Sequence, residues 1–231
     1  MKRVFTILLI GISQFAFSQN FKTLEEAAKD NQRAGTVLGF PNFDSLNFEF
    51  RFHEWGFGSG EYFLQITKDK ENNWNYRISF ISYDSLQRVI TFEENTKNID
   101  WEKLWTKLDS LDIKSISDQL QLKLVYTRDD GSQTTFNNHR FFEQIMDGEY
   151  YYMEWYDTSG YQEIGYDNPF DYEKILEQHK LSDSNEHKRF NQAILTLNET
   201  FDLKRTYKEL LFERLKYYES RKKKKKRKTS K

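Results

Sequence analysis

Cysteine is absent from the 231 residues of the chain, and only two prolines are present. The absence of cysteine excludes disulfides, thiolate metal sites, cysteine nucleophiles and lipid attachment to an N-terminal cysteine. Long apolar runs are also missing, since no segment approaches the roughly 20 apolar residues needed to cross a bilayer. The chain is nevertheless long enough to bury a sizeable core without disulfides.

The N-terminus has the three-part layout of a secretory signal peptide. Two basic residues come first, an apolar run follows from Val4 to Ile12, and small residues precede a cleavage point near Ser18. The alternative is a membrane anchor, but Ser13 and Gln14 end the apolar run well short of a bilayer span. We therefore expect residues 1–18 to be removed and the mature chain to be exported, to the periplasm or beyond the cell.

The net charge of −1 conceals a strong asymmetry along the chain. Nine of the 35 basic residues lie between 221 and 231 and two lie in the signal peptide, so 24 remain in the body against all 36 acidic residues. The body from 19 to 220 therefore carries about −12 and the tail +9. Because its like charges repel, we expect the tail at 221–231 to be disordered.

The tail is a candidate contact for an anionic envelope surface or another polyanion, such as acidic lipid, lipopolysaccharide or nucleic acid. The alternative is a solvated tail that folds loosely back on the acidic body. The residues concerned are Arg221, Lys222, Lys223, Lys224, Lys225, Lys226, Arg227 and Lys228.

Alternating apolar side chains predict a mainly antiparallel sheet. In the first strand, Phe48, Phe50 and Phe52 share one face, which indicates a half-buried strand whose other face is polar: Glu49, Arg51 and His53. Similar alternation predicts further strands at 62–66, 76–80, 88–92, 120–126, 148–156 and 161–166.

Helical spacing of apolar residues appears in three places. Trp101 to Leu111 follows Asp100, a good N-cap, and Asn168 with Pro169 opens a helix that runs to about 179. After residue 184, the apolar residues form two offset stripes, which predict one bent helix or two. Together these patterns predict an α+β fold in which a sheet of six to eight strands is covered on one face by helices.

We expect a single domain over 19–220, followed by the basic tail. Within it, residues 19–45 form a helix and loop, 46–168 form the sheet with one covering helix, and 169–220 form the C-terminal helices.

Aromatic side chains are abundant, at 17% of the chain, and are densest between 150 and 156. A strand there places Tyr150, Tyr152 and Tyr156 on one face, with Glu154 between them. These four residues are a candidate binding surface, because tyrosine combines an apolar ring with a polar tip that suits sugar rings or a partner protein. The alternative is a strand buried on both faces, with aromatic pairs that stabilise the sheet.

No arrangement typical of catalysis or metal binding is present. The four histidines lack metal-ligand spacing, so we expect surface or capping roles and no metal or cofactor. The glycines between 56 and 60 fit neither a phosphate loop nor a nucleophile elbow, and they indicate a hairpin loop. Carboxylates near the aromatic strands are the candidates for glycan hydrolysis that should be inspected first: Glu154, Glu163 and Asp167.

The chain resembles the secreted or periplasmic domains of unknown function found in bacteria of the Bacteroidetes type. The resemblance is carried by the export signal that ends at Phe17-Ser18, the lack of cysteine and an order of elements over roughly 46–200. That order leads from hairpins through the helix after Asp100 to Asp147-Gly148 and Asn168-Pro169. It implies no catalytic residues.

We therefore expect an exported, non-enzymatic protein that binds or scaffolds at the cell envelope. The alternatives are an envelope glycan hydrolase and a protein that acts through a polyanion-binding tail.

Overall fold

The computed structural model describes residues 41–55, 60–82, 88–137, 149–158, 160–182, 185–205 and 207–208. The predicted signal peptide, the predicted N-terminal helix, the glycine loop at 56–59 and the basic tail lie outside these residues.

Six strands form a large antiparallel sheet in the order β4-β3-β2-β1-β7-β8. Its strands are β1 (Leu46–Trp55), β2 (Gly60–Asp69), β3 (Trp74–Ser82), β4 (Arg88–Glu94), β7 (Tyr150–Asp157) and β8 (Gly160–Asp167). A small sheet has the order β6-β5-β9, with β5 (Lys123–Thr127), β6 (Gln133–Asn137) and β9 (Leu181–Ser182). The α-helices that are described from end to end are α1 (Trp101–Ser110), α2 (Pro169–Gln178) and α3 (Glu186–Phe201), and residues 203–205 and 207–208 are helical as well. The predicted α+β fold is confirmed.

The main core lies between one face of the large sheet and the helices. The alternating apolar residues of β1, β2 and β3 that are buried there share one face, because successive strand residues face opposite sides, whereas Leu120 of the predicted strand over 120–126 is 54% exposed. The fully buried members of the core include Phe50, Phe52, Leu64, Ile66, Ile78, Met153, Leu108, Phe190, Ile194 and Leu197. The small sheet joins the same core through Leu124.

The other face of β1 is also buried, so the prediction of a half-buried strand was wrong. Glu49, Arg51 and His53 are each no more than 2% exposed. Phe43 packs against Tyr156 and Tyr161 on this side of the sheet. Alternation showed correctly which side chains share a face, but it carries no information about whether a polar face is covered.

The segment after α1 covers the outer edge of β8 with side-chain hydrogen bonds. Gln119 accepts from the Asp167 amide at 2.5 Å and donates to the Asp167 carbonyl at 3.2 Å, as a neighbouring strand would. Asp118 accepts from the Gly165 amide at 3.2 Å, and Gln162 donates to the Lys114 carbonyl. An edge covered in this way is protected from pairing with another chain.

Helix boundaries follow the predicted signals at α1 and differ at α2. The Asp100 carboxylate accepts from the Lys103 amide at 3.0 Å, which confirms the predicted N-cap. Asn168 precedes Pro169 as predicted but adopts a left-handed φ of 45° and makes no side-chain cap. Its side-chain oxygen instead accepts from the Glu149 amide at 2.9 Å, which ties the start of α2 to the start of β7.

One further boundary differs from the prediction, whereas the other, the end of α3, agrees with the predicted bend or break between the two helical stripes. The strand predicted over 120–126 begins only at Lys123, because the Asp118 side chain accepts from the Leu120 amide and starts a 3-10 turn over Gln119–Gln121. Helix α3 ends at Phe201, where Asp202 turns left-handed with φ of 54°. Lys97 donates to the Phe201 carbonyl at 2.5 Å and satisfies the helix end.

Candidate functional site

Strand register places charged side chains next to one another on the second face of the large sheet. Arg51 on β1 lies opposite Glu154 on β7, which lies opposite Glu163 on β8. Opposite side chains in antiparallel pairs have Cβ atoms about 5 Å apart, so the three interact across the strands. We call this side of β2, β1, β7 and β8 the polar face. Its rows are Thr67, Glu49, Tyr156 and Tyr161; Gln65, Arg51, Glu154 and Glu163; Phe63, His53, Tyr152 and Gly165; and Glu61, Trp55, Tyr150 and Asp167.

Arg51 is the centre of a buried ionic network on the polar face. Its Nε donates to Glu49 Oε1 at 2.5 Å, and its guanidinium lies 4.9 Å from the centre of the Tyr156 ring. Its Nη1 lies 3.7 Å from Glu154 Oε2. Burial alone would lower the pKa of Arg51, but the neighbouring carboxylates of Glu49 and Glu154 outweigh burial and raise it. Arg51 is therefore a permanent cation inside the fold.

His53 joins the network from the neighbouring row and is 2% exposed. Its Nδ1 pairs with Glu61 Oε1, while its Nε2 lies 3.4 Å from Glu154 Oε2, which is long for a hydrogen bond. Burial alone would lower the pKa of His53, but the carboxylates of Glu61 and Glu154 raise it to about 9. The imidazole is therefore protonated at neutral pH. It lies between the partly exposed carboxylate of Glu61 and the buried carboxylate of Glu154.

Glu163 is held by two tyrosines on the same face. The hydroxyls of Tyr152 and Tyr161 both donate to Glu163 Oε2, and the Tyr161 hydroxyl also lies 3.4 Å from Glu154 Oε1. Burial and the nearby carboxylates raise the pKa of both phenols well above their usual range. Both tyrosines therefore act as hydrogen-bond donors at every physiological pH.

At the end of the polar face, an exposed tryptophan on β1 lies opposite, in strand register, a tyrosine on β7 whose ring lies over the backbone of β8. Trp55 is 48% exposed and lies opposite Tyr150 in the β1–β7 register. The Tyr150 and Tyr152 rings stack at 6.1 Å with an interplanar angle of 27°. A Cβ atom at Gly165 would overlap the Tyr150 hydroxyl, so only glycine allows this ring to lie over β8. We call Trp55 and Tyr150 the aromatic platform.

A second set of carboxylates and tyrosines lies at the same end of the sheet but on its core face. Burial, followed by the charge of Glu149, raises the pKa of Glu54 to about 7, and Lys204 partly opposes this rise. The Tyr207 ring stacks on Tyr62 at 4.5 Å. Burial and the charge of Glu54 raise the pKa of Tyr207. The segment after α3 is thus anchored beside the last residues of β1.

The four residues predicted as a binding surface share the polar face, but their exposure differs. Tyr150 and Tyr152 are half-buried. Tyr156 is fully buried and its ring lies 4.7 Å from that of Tyr161, while Glu154 is 2% exposed. Most of strand β7 is therefore covered on both faces, as the alternative interpretation held, and its start near Tyr150 is partly exposed. The tail predicted to contact polyanions lies outside the described residues.

Several residues of this face were not predicted as functional. Nothing in the sequence next to Arg51 and Glu61 indicates a functional role. Trp55 comes directly before the glycine loop, and His53 was expected at the surface. His187 is also buried, at 3% exposure, while His179 is exposed. In the parts of the chain that the structure describes, no three histidine, aspartate or glutamate side chains are arranged to hold a metal ion.

Comparison of the chain with models of known protein families and with characterised proteins gave no match. The described helices include none that is both long enough and apolar enough to cross a membrane.

Proposed function

We propose that this is an exported, non-enzymatic protein that binds glycan of the cell envelope at the aromatic platform. The observation that carries the proposal is the exposed Trp55 opposite Tyr150, whose ring is fitted over Gly165. The flat face of a sugar ring presents C–H groups that stack on aromatic rings, while its hydroxyls stay polar. Binding sites commonly combine such apolar surface with a few fixed polar groups.

The ionic network around Arg51 and His53 supports the proposal, because it holds the neighbours of the platform in position. Glu61 lies opposite Trp55 in the β1–β2 register and is paired with His53. Tyr152 stacks on Tyr150 and donates to Glu163. Both neighbours of the platform are thereby fixed before a ligand arrives, which reduces the entropy lost on binding.

Binding is tested with the full mature chain and isolated envelope glycan, by sedimentation and by tryptophan fluorescence titration with soluble oligosaccharides. We expect Trp55→Ala to weaken binding at least about 10-fold, because stacked aromatic anchors commonly contribute more than 1 kcal/mol. Leu195→Ala is the matched control, since Leu195 is an exposed apolar residue on α3, 37% exposed. Equal binding by wild type and Trp55→Ala would contradict the proposal.

Glycan hydrolysis is the second candidate, and it rests on the directly opposed pair of Glu154 and Glu163. A hydrolase needs one carboxyl group as a proton donor. Here Glu154 is only 2% exposed and Glu163 accepts from two tyrosine hydroxyls, so both carboxyl groups are engaged within the sheet, which favours binding over hydrolysis. Release of reducing ends from the bound glycan, lost in Glu163→Gln, would establish hydrolysis instead.

Export is tested separately by mass spectrometry of the N-terminus on protein recovered from its own cells. We expect a chain that begins after Ser18 and is found outside the cytoplasm. Protein that retains Met1 and fractionates with the cytosol would contradict export and, with it, an envelope ligand.

A further inference from the structure

Two carboxylates are brought next to Tyr151 at the start of β7, on the core face of the large sheet. Glu54 lies opposite Tyr151 in the β1–β7 register, where Cβ atoms are about 5 Å apart. The Tyr151 hydroxyl donates to Glu149 Oε2 at 2.6 Å. The charge of Glu149 acts on Glu54, and both charges act on Tyr151. We call Glu54 and Glu149 the carboxyl pair.

Glu54 is half-buried, and its carboxyl group has no hydrogen-bond partner among the described residues. Burial and the charge of Glu149 raise its pKa, and no hydrogen bond opposes this rise. Lys204 opposes it only through its charge, since it donates no hydrogen bond to the carboxyl group. Polar groups withdrawn from water normally have a partner, so a carboxyl group without one indicates a place where a ligand supplies it.

The Tyr207 hydroxyl is a second group without a partner at the same place. The Tyr207 ring stacks at 4.5 Å on Tyr62, which lies opposite Glu54 in the β1–β2 register. Tyr207 is only 7% exposed, and its hydroxyl has no hydrogen-bond partner. Of the charged groups near this hydroxyl, Glu54 acts on it most strongly, so the hydroxyl faces the carboxyl pair. A buried hydroxyl left unpaired costs free energy that a bound ligand would restore.

These groups match one kind of ligand, a primary ammonium group. An ammonium group has three N–H donors and no acceptor, and the two carboxylates and the Tyr207 hydroxyl oxygen are three acceptors. Its positive charge offsets the repulsion within the carboxyl pair, which an anion would increase and a neutral hydroxyl would leave unchanged. The stacked rings of Tyr62 and Tyr207 add an aromatic surface that attracts cations.

We propose that the carboxyl pair and the Tyr207 hydroxyl form a binding site for the primary ammonium group of a small ligand. This site is separate from the aromatic platform, because strand alternation places Glu54 and Trp55 on opposite faces of the sheet. It therefore does not depend on the platform's binding of glycan. Amino sugars and aliphatic amines both carry a primary ammonium group, and the experiment separates these two sources.

The experiment is calorimetric titration of the full chain near neutral pH at constant ionic strength. Butylamine and glucosamine supply the ammonium group, and butanol and glucose are their uncharged counterparts. Glu54→Gln removes the charge of the carboxyl pair's inner member, and Tyr207→Phe removes only the hydroxyl. Glu177→Gln is the matched control, since Glu177 is an exposed carboxylate near the end of α2.

Both site variants should remain folded, which thermal unfolding midpoints check. Glu54 is a carboxylate whose ionisation costs stability, and the Tyr207 hydroxyl is buried without a partner. Replacing either group by its uncharged or apolar counterpart therefore should not lower the midpoint. Loss of ligand binding in these variants then reports on the site and not on the fold.

We expect butylamine to bind at least about 10-fold more tightly than butanol, and to lose about 10-fold in Glu54→Gln and about 5-fold in Tyr207→Phe. Wild-type affinity for butylamine should rise on the order of 10-fold from pH 6 to pH 8, because Glu54, with a pKa of about 7, ionises over this range while the amine stays charged. Glu54→Gln should abolish this rise, and Glu177→Gln should bind as the wild type does.

Three results would overturn the inference. Unchanged butylamine binding in both site variants would show that these groups do not hold the ammonium group. Equal binding of butanol and butylamine would show that the protein recognises the alkyl chain and not the charge. A loss in Trp55→Ala as large as that in Glu54→Gln would assign the ammonium group to the aromatic platform. Tighter binding of glucosamine than of butylamine would support an amino sugar as the ligand, and the reverse order would support an aliphatic amine.

Discussion

Raising the pH should destabilise this protein through a single buried histidine. The pKa of His53 is about 9 in the folded protein and 6.5 in an unfolded chain. A group whose pKa is raised on folding contributes stability that is complete below about pH 6.5 and disappears as the pH rises through about 9. The difference between the two values corresponds to about 3 kcal/mol.

The structure explains why this contribution is large. His53 is 2% exposed, so its charge is poorly solvated, yet it lies between the carboxylates of Glu61 and Glu154. Deprotonation removes the cation and leaves both carboxylates with less compensation. Arg51 offsets this loss only in part, since its Nη1 lies 3.7 Å from Glu154 and its Nε already serves Glu49.

The measurement is urea unfolding followed by tryptophan fluorescence at pH values from 7 to 9.5. We expect the free energy of unfolding to fall by about 2–3 kcal/mol across this range in the wild type. His53→Gln keeps a hydrogen-bond donor without a titrating group, so it should be less stable at pH 7 and nearly independent of pH above it. The reasoning is refuted if the wild-type profile is flat, or if His53→Gln shows the same slope.

Three further predictions test other parts of the structure. The pKa of Glu54 is raised to about 7 by burial and by Glu149, so its ionisation costs stability as the pH rises from 4.5 to 7. In urea unfolding above pH 7, Glu54→Gln should therefore raise the free energy of unfolding by about 1–2 kcal/mol. Gly165→Ala should displace the Tyr150 ring and abolish glycan binding in fluorescence titrations. The free energy of unfolding should fall by only about 1 kcal/mol, because the end of the Tyr150 ring can move away from the added Cβ atom. Asp100→Ala removes the N-cap of α1 and should lower the unfolding free energy by about 1 kcal/mol without affecting binding.

The sequence allowed the fold class to be predicted because its local signals agree with one another. Phe48, Phe50 and Phe52 alternate on β1, and the helical stripe after Asp100 follows its cap. Each of these signals lies within a few residues of the element it describes. The turn at Gln119–Gln121 was missed because it depends on one side chain, Asp118, whose hydrogen bond overrides the apolar alternation of the following residues.

The polar face could not be predicted in the same way, because it depends on strand order. Arg51 and Glu154 are more than 100 residues apart in the sequence and meet only because β7 joins the free side of β1. Nothing local distinguishes a strand whose polar side faces water from one whose polar side is covered. The charge pattern is the signal that could have indicated this face. A cation on β1 and Glu154 at the centre of an aromatic strand suggest an ion pair between the two strands, but only if the strands are known to be neighbours.

The buried charges explain how the platform keeps its geometry. A slip of two residues between β1 and β7 would keep the apolar side chains on the core face, but it would move Arg51 and His53 out of line with Glu154 and leave buried charges without partners. Such losses cost several kcal/mol each, far more than a buried ion pair contributes in net stability. The network therefore contributes more to the free-energy difference between the native register and shifted registers than to the net stability of the fold. Trp55 lies opposite Tyr150 only in that register, so the charges inside the sheet determine the aromatic surface at its end.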